Sequence, residues 1–257
     1  MSYTPEQVAE LEHERQVVLG DLEDLWLTLA TEFAPSLTVV RAQEYVCHGV
    51  CRRLKIIRRC IDNIFAIFPV ERKEILSAEE RNDLEINLHA FIVNIYGLQD
   101  NLAWVYVIEK SLENVVEGGR FGVGLFNKNT QPHLPTEVRE YLNSENIKSW
   151  HKDYAKNYRD ALAHRIPLYV PPYSVTPIDQ QRYQELERQI SEQRKNHDFE
   201  RMQALIEEQE AIGSICPAFL HSSSDSDASS PINFHPQVIV DAKTVMEIVS
   251  VVRRHLP

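Results

Sequence analysis

The sequence predicts an all-α protein, built as an up-and-down bundle of four or five long helices with an inserted helical hairpin. Apolar residues recur every three or four positions along most of the chain, which is the spacing of one buried helix face. Capping residues and prolines bound these periodic segments. No alternating strand pattern competes with them, so the segments should pack side by side as a bundle.

The first two helices are each delimited by proline. The first should begin after Thr4, with Pro5 at its first position, and end at Pro35. The second should begin near Thr38 and end before Pro69, because proline disfavours the helical conformation of the preceding residue. The apolar face of the first helix is formed by Val8, Leu11, Val18, Leu22, Leu25, Trp26 and Leu29.

The third helix is predicted to be the longest. It starts at a capping box in which Ser77 and Glu80 bond each other's backbone N–H groups. Its apolar face continues to Leu112, and Gly118–Gly119 should end it. The following Gly119–Gly124 lacks the preceding strand and the lysine of a phosphate-binding loop, so we expect a flexible connection there.

The second half of the chain contains a short helix at about Pro135–Asn143 and then a helix from near Ser144 to Arg165, named here the motif helix. An extended segment should follow it, because proline recurs at Pro167, Pro171, Pro172 and Pro177. Residues 178–212 carry two apolar stripes that break around residues 195–198. This pattern predicts an antiparallel helical hairpin, with a single long helix as the alternative.

The chain should form a single helical domain over residues 1–257, with the hairpin insertion at about 178–213. The low-complexity stretch Ser222–Ser230 has too little apolar content to repay the entropy of ordering, and it predicts a mobile loop at about 221–236. A last helix should run from Val238 to His255.

The composition excludes several classes of protein. No run of eighteen apolar residues occurs and the amino terminus has no secretory signal, so we expect a cytoplasmic protein with no membrane contact. Four cysteines are too few and too unevenly placed for a disulfide framework. No metal site and no cofactor is predicted, because the closely spaced Cys47 and Cys51 lack a second ligand pair.

Positively charged side chains are concentrated in two segments of the chain. The net charge of −11 opposes a broad nucleic-acid surface. Residues 41–73 nevertheless carry eight basic and three acidic side chains, and residues 148–165 carry five basic and two acidic ones. Such patches are compatible with a confined anionic ligand, although solvated helix faces are the more common explanation.

The motif helix has two distinct faces. At 100° per residue, one narrow stripe contains the basic residues Lys148, Lys152, Lys156 and Arg159. The opposite side contains Trp150, Tyr154, Tyr158 and Ala161. The aromatic face should pack against the bundle and the basic face should be free. Asp160 and His164 lie four residues apart in a band between the two faces.

The segment Arg159-Asp160-Ala161-Leu162-Ala163-His164, on a helix near the end of an all-α bundle, resembles the signature of the HEPN superfamily. Residues 98–104 and 165–172 are also similar to uncharacterised bacterial members. The resemblance implies a metal-independent endoribonuclease, often a toxin or antiviral effector in that family. Other members have lost catalysis and serve as binding or assembly modules. Two chains of the family pair, so that two motifs share one cleft.

The motif suits RNA cleavage without metal. The attack of a ribose 2′-hydroxyl on its phosphate needs a proton donor or acceptor and a fixed cation. We expect His164 to be the acid or base, Arg159 to stabilise the phosphate, and Asp160 to orient the imidazole ring. The RNA would lie along Lys148, Lys152 and Lys156. Five helical residues place Arg159 and His164 140° apart, which makes the homodimer a plausible requirement.

Other interpretations of the same residues are open. Arg41 and His48 satisfy the same loose spacing without any further feature in their favour. Arg159 could lie in water on a basic helix face, and His164 could interact only with the end of its helix. A non-catalytic HEPN-like binding module is the main alternative, with a protein partner at the 178–213 hairpin.

Overall fold

The computed structural model describes residues 3–221 and 231–257 and confirms the all-α fold. The α-helices are α1 (Pro5–Thr28), α2 (Ala34–Ser36), α3 (Val40–Glu44), α4 (Cys51–Ile67), α5 (Ala78–Glu109), α6 (Thr136–Leu142), α7 (Glu145–Ser149), α8 (Lys156–His164), α9 (Gln180–Asn196), α10 (Phe199–Ile212) and α11 (Phe234–Arg253). Short 3₁₀ turns lie at Gly119–Phe121 and Gln131–His133. Strands β1 (Ala218–Phe219) and β2 (Ile232–Asn233) form one small antiparallel pair that the sequence did not predict.

Three π-helical segments join neighbouring α-helices into longer ones. Leu29–Phe33 joins α1 to α2, Tyr45–Val50 joins α3 to α4, and Trp150–Ala155 joins α7 to α8. The motif helix is therefore continuous from Glu145 to His164, as predicted.

Two predicted helix ends are wrong. Helix α5 ends at Glu109, well before Gly118–Gly119, because Ser111 adopts a left-handed backbone conformation with φ of 55°. Helix α11 starts at Phe234 instead of Val238. The predicted mobile loop at 221–236 lies outside the described residues over 222–230, and its last residues belong to β2 and α11.

Helix α5 occupies the centre of the bundle. It packs against α4, α11 and α8, while α1 packs against α4 and α11. The largest fully buried side chains are Phe91, Phe219 and Phe234, and each contributes about 1.5–3 kcal/mol by leaving water. In the described part of the chain, no helix has the length and apolar character needed to cross a bilayer.

The hairpin prediction is confirmed and the single long helix is wrong. The chain turns at His197, which has a φ of 58°, and the Asp198 side chain accepts a hydrogen bond from Arg201 N to cap α10. Helices α9 and α10 pack against each other around Leu186, Ile190 and Leu205. This small cluster is separate from the main core, so the hairpin projects as an insertion.

A buried carboxylate fixes the rotation of the motif helix. Asp241 of α11 is fully buried and accepts hydrogen bonds from Trp150 Nε1 at 2.8 Å, Tyr154 OH at 2.7 Å and Gln237 Nε2 at 2.8 Å. Burial raises the pKa of Asp241 to about 7, and the three donors limit the rise. The aromatic face of the motif helix therefore packs inward, as predicted.

We predict that Asp241→Ala destabilises the fold. The substitution leaves three buried or half-buried donors without their acceptor, and each such donor costs about 1–3 kcal/mol. Urea unfolding at neutral pH should show a lower free energy of unfolding. Asp153→Ala, which removes an exposed carboxylate from the motif helix itself, should stay within about 0.5 kcal/mol of the parent. Equal stability of the two variants would contradict the role given to Asp241.

Candidate anion-binding cleft

A cleft of about 650 Å³ lies between α5, the motif helix and the loop at 120–131, and we name it the basic cleft. Its cationic lining residues are Arg120, Lys128, Lys148, Lys152, Lys156 and Arg159. The carboxylate of Asp100 also lines it. Among the described residues, six cations and one carboxylate line the cleft, which makes this concave surface positive although the whole chain is acidic.

The structure brings four of the six sequence-predicted site residues together here. Lys148, Lys152 and Lys156 are exposed along one side of the cleft, and Arg159 is half-buried at its inner end. Asp160 lies beside Arg159. The remaining residue, His164, is outside the lining of the cleft.

Arg159 is held in place by an aromatic ring and a carboxylate. Its guanidinium carbon lies 4.2 Å from the ring centroid of Tyr96, and its NH1 is 3.0 Å from Asp160 Oδ1. Its buried Nε has no hydrogen-bond partner in the described part of the chain. Burial by itself would lower the pKa of Arg159, but Tyr96 and the carboxylates of Asp160 and Asp100 raise it overall. Arg159 is thus a positioned, permanent cation.

Asp160 does not contact the imidazole that it was expected to orient. Its Oδ2 accepts from Lys156 Nζ at 2.5 Å and its Oδ1 pairs with Arg159. Among the described residues, no hydrogen bond or ion pair joins Asp160 to His164. Two nearby cations compete for the carboxylate, so Asp160 positions Arg159 instead of the histidine.

The motif helix runs antiparallel to α5. His151 Nδ1 lies 2.9 Å from Gln99 Oε1, and further along the chain His89 Nε2 donates to Leu168 O at 2.8 Å. The motif helix therefore advances towards the amino end of α5 as it leaves the basic cleft.

His164 ends α8, and its side chain is exposed. The antiparallel course places it between the levels of Tyr96 and His89 on α5. The imidazole is accessible to a polynucleotide, but it stands outside the cleft that contains Arg159.

His151 is a cleft residue that the sequence analysis missed. It stacks on Phe126 with 3.7 Å between ring centroids. Gln99 Nε2 donates to Ile95 O, so its Oε1 must accept from His151 Nδ1–H, which leaves the Nε2 lone pair available. Burial lowers the pKa of His151 to about 4, helped by the charges of Lys156 and Arg159. The only signal in the sequence was its position between two lysines of the basic stripe.

Asp100 and Asn101 have different roles. Arg53 Nε donates to Asn101 Oδ1 at 2.7 Å inside the bundle. Asp100 instead lines the basic cleft. Burial raises the pKa of Asp100, while the charges of Arg159 and Arg53 act in the opposite direction. Asp100 is therefore the acidic element of an otherwise basic surface.

The segment expected to be a flexible connection has a defined structure. Gly118 has a φ of 85°, and a Cβ on Gly122 would lie 1.9 Å from Glu117 O, so both positions need glycine. The buried Thr130 Oγ1 donates to Gly122 O at 2.7 Å and accepts from Gly124 N at 3.1 Å. These bonds shape the outer wall of the basic cleft.

Part of the other basic patch, at residues 41–73, is held in ion pairs. Arg58 pairs with Glu23, and Arg59 pairs with Asp62. The ammonium of Lys55 lies 3.8 Å from the ring centroid of Trp26. The contrast makes the cleft on the motif helix the better candidate for an anionic ligand.

We predict that His151→Gln reduces the sensitivity of the fold to acid. A neutral buried histidine loses stability as the pH falls from its unfolded pKa of about 6.5 towards about 4, because the unfolded chain binds the proton first. Between about pH 7.5 and pH 5, the variant should lose about 1–2 kcal/mol less unfolding free energy than the parent, measured with urea. Lys152→Gln, in the same cleft, should keep the parent's pH dependence. An unchanged dependence in His151→Gln would contradict the neutral state.

Comparison of the chain with models of known protein families, with curated proteins and with solved structures found no match.

Proposed function

We propose that this chain is a metal-independent endoribonuclease of the HEPN type that acts as a homodimer. The observation that carries the proposal is the arrangement of the motif helix. Its lysines and Arg159 line a basic cleft, and the same helix ends in the exposed imidazole of His164. The cations bind the RNA backbone, and the imidazole transfers protons.

The reaction is an internal transfer at phosphorus. The ribose 2′-oxygen forms a bond to the adjacent phosphorus, and the bond from that phosphorus to the 5′-oxygen breaks. His164 of one chain accepts the proton of the 2′-hydroxyl and later releases it to solvent, and the departing 5′-oxygen takes up a proton from water. Arg159 neutralises charge that develops on the phosphoryl oxygens. The products are a 2′,3′-cyclic phosphate and a 5′-hydroxyl.

A second chain supplies what one chain lacks. The guanidinium of Arg159 is held on Tyr96 inside the cleft, and His164 stands outside it, so one chain does not present both groups to one phosphate. Pairing through the His164 side of the bundle would bring the imidazole of one chain towards the cleft of the other. Two motifs then complete each site.

Exposed apolar residues support such a pairing. Ile86 and Val93 of α5 are exposed seven residues apart on one helix face, and Ile166 is exposed two residues after His164. We name these three residues the apolar patch. On α5, Ile86 and Val93 lie within about 80° of Tyr96 and His89, which contact the chain on either side of His164, so we assign the patch to the same side of the bundle as His164. Exposed apolar residues grouped in this way favour association.

We predict that the purified protein cleaves RNA in EDTA and that His164→Ala lowers the rate by a factor on the order of 10² or more, because proton transfer is lost. The assay is gel electrophoresis of end-labelled RNA, with detection of the 2′,3′-cyclic phosphate. His48→Ala is the matched control, since Arg41 and His48 have similar spacing and His48 is also exposed. Equal activity of the parent and His164→Ala would refute the proposal.

We predict that placing charge on the apolar patch separates the dimer. Sedimentation equilibrium should show a dimer for the parent, and Ile86→Glu with Val93→Glu should shift the mass towards the monomer, because two carboxylates would face their copies across the interface. The monomeric variant should also cleave RNA more slowly. Val240→Glu, an exposed apolar residue of α11, should leave both properties unchanged. A fully active monomeric parent would rule out the two-chain site.

The second candidate is a non-catalytic binding module. It is favoured by the separation of His164 from the basic cleft and by the pairing of Asp160 with cations. The hairpin is the surface for a protein partner in this case, because it packs mainly on itself and exposes Phe199 at its turn. RNA binding that depends on Arg159, without cleavage by the parent, would select this function.

A further inference from the structure

An aromatic ring stands in solvent at the rim of the basic cleft. Phe121 ends the 3₁₀ turn Gly119–Phe121, lines the cleft and is 80% exposed. An exposed phenylalanine forgoes the stabilisation that burial would give. Folding therefore does not explain why this ring lies where it does.

The backbone that carries the ring is held by side-chain amides. Asn127 Nδ2 donates to Phe121 O at 3.0 Å, and Asn129 Nδ2 donates to Glu117 O at 2.8 Å. Asn127 Oδ1 accepts from Asn129 N at 2.9 Å. Together with the Thr130 bonds, these contacts fix the turn. The ring is thus presented by an ordered backbone.

The surroundings of the ring match those of a nucleobase platform. The guanidinium carbon of Arg120 lies 4.7 Å from the ring centroid of Phe121. Because the ring of Phe121 is highly exposed, a second planar group such as a nucleobase can stack on it. Aromatic stacking beside cations that follow the backbone is how proteins bind single-stranded nucleic acid.

The inner part of the cleft offers hydrogen-bond acceptors as well as cations. The Nε2 lone pair of His151 is available, as its Nδ1–H is used by Gln99. Asp100 adds carboxylate oxygens. A site for a simple polyanion has no need of such acceptors, whereas a ribose hydroxyl or a base N–H can donate to them.

We propose that the basic cleft takes an unpaired nucleotide of RNA, with its base stacked on Phe121 and its phosphates held by the lysines and arginines of the cleft. This inference rests on the proposed function and names its substrate class. Bases in a duplex are stacked on both faces and are not free to meet the ring, whereas unpaired bases can splay out onto aromatic side chains. Phe121 is then a specificity-determining residue.

The test measures binding on a non-cleaving background. His164→Ala protein is titrated into a fluorescein-labelled single-stranded RNA of about twelve nucleotides and into the same strand within a duplex, at one salt concentration, with EDTA. Fluorescence anisotropy reports both affinities. Adding Phe121→Leu should lower the single-strand affinity on the order of tenfold and change the duplex affinity less than about twofold. Phe121→Trp should retain single-strand binding.

Phe199→Leu is the matched control, because Phe199 is an exposed phenylalanine (62%) on the hairpin, away from the cleft. It should bind like the background protein. Unchanged single-strand affinity in Phe121→Leu, an equal loss for both RNAs, or no RNA binding at all would overturn the inference. If the parent fails to cleave RNA but its single-strand binding depends on Phe121, the cleavage proposal fails and this inference stands.

Discussion

The functional arrangement of this protein depends on one buried carboxylate. Asp241 accepts hydrogen bonds from Trp150 and Tyr154, so it fixes which side of the motif helix faces the core. The lysines on the opposite side then have to face α5 and the loop at 120–131. Without that constraint, a helix with a charged stripe would be free to rotate, and the cations would not converge on one concave surface.

The parts of the structure that could be predicted are those encoded by local pattern. Apolar periodicity, the cap at Ser77 and the prolines determine the helices whatever surrounds them. The basic stripe of the motif helix follows from spacing alone. The end of α5 at Glu109 was not predictable in this way, because the left-handed position after it is occupied by Ser111 and not by a glycine that would mark it.

The unpredicted parts of the cleft depend on which of several possible hydrogen-bond or ion-pair partners each side chain contacts. From its position in the sequence, Asp160 could pair with His164 or with the cations Lys156 and Arg159. Only the folded chain shows that it pairs with the cations. His151 becomes part of the cleft because Gln99 of another helix accepts its proton. The glycine-rich loop forms a wall of the basic cleft because Thr130 is hydrogen-bonded to its backbone. Each outcome rests on a tertiary contact that carries no local signature.

The geometry also separates Arg159 from His164 within one chain. The guanidinium of Arg159 lies against Tyr96 and is paired with Asp160, so moving it towards His164 would break both contacts. The five-residue spacing on a helix adds an angular separation that side-chain rotation cannot remove. In the proposed reaction, a phosphate that touches both groups would therefore receive them from different chains. The exposed apolar residues Ile86, Val93 and Ile166 support such a pairing.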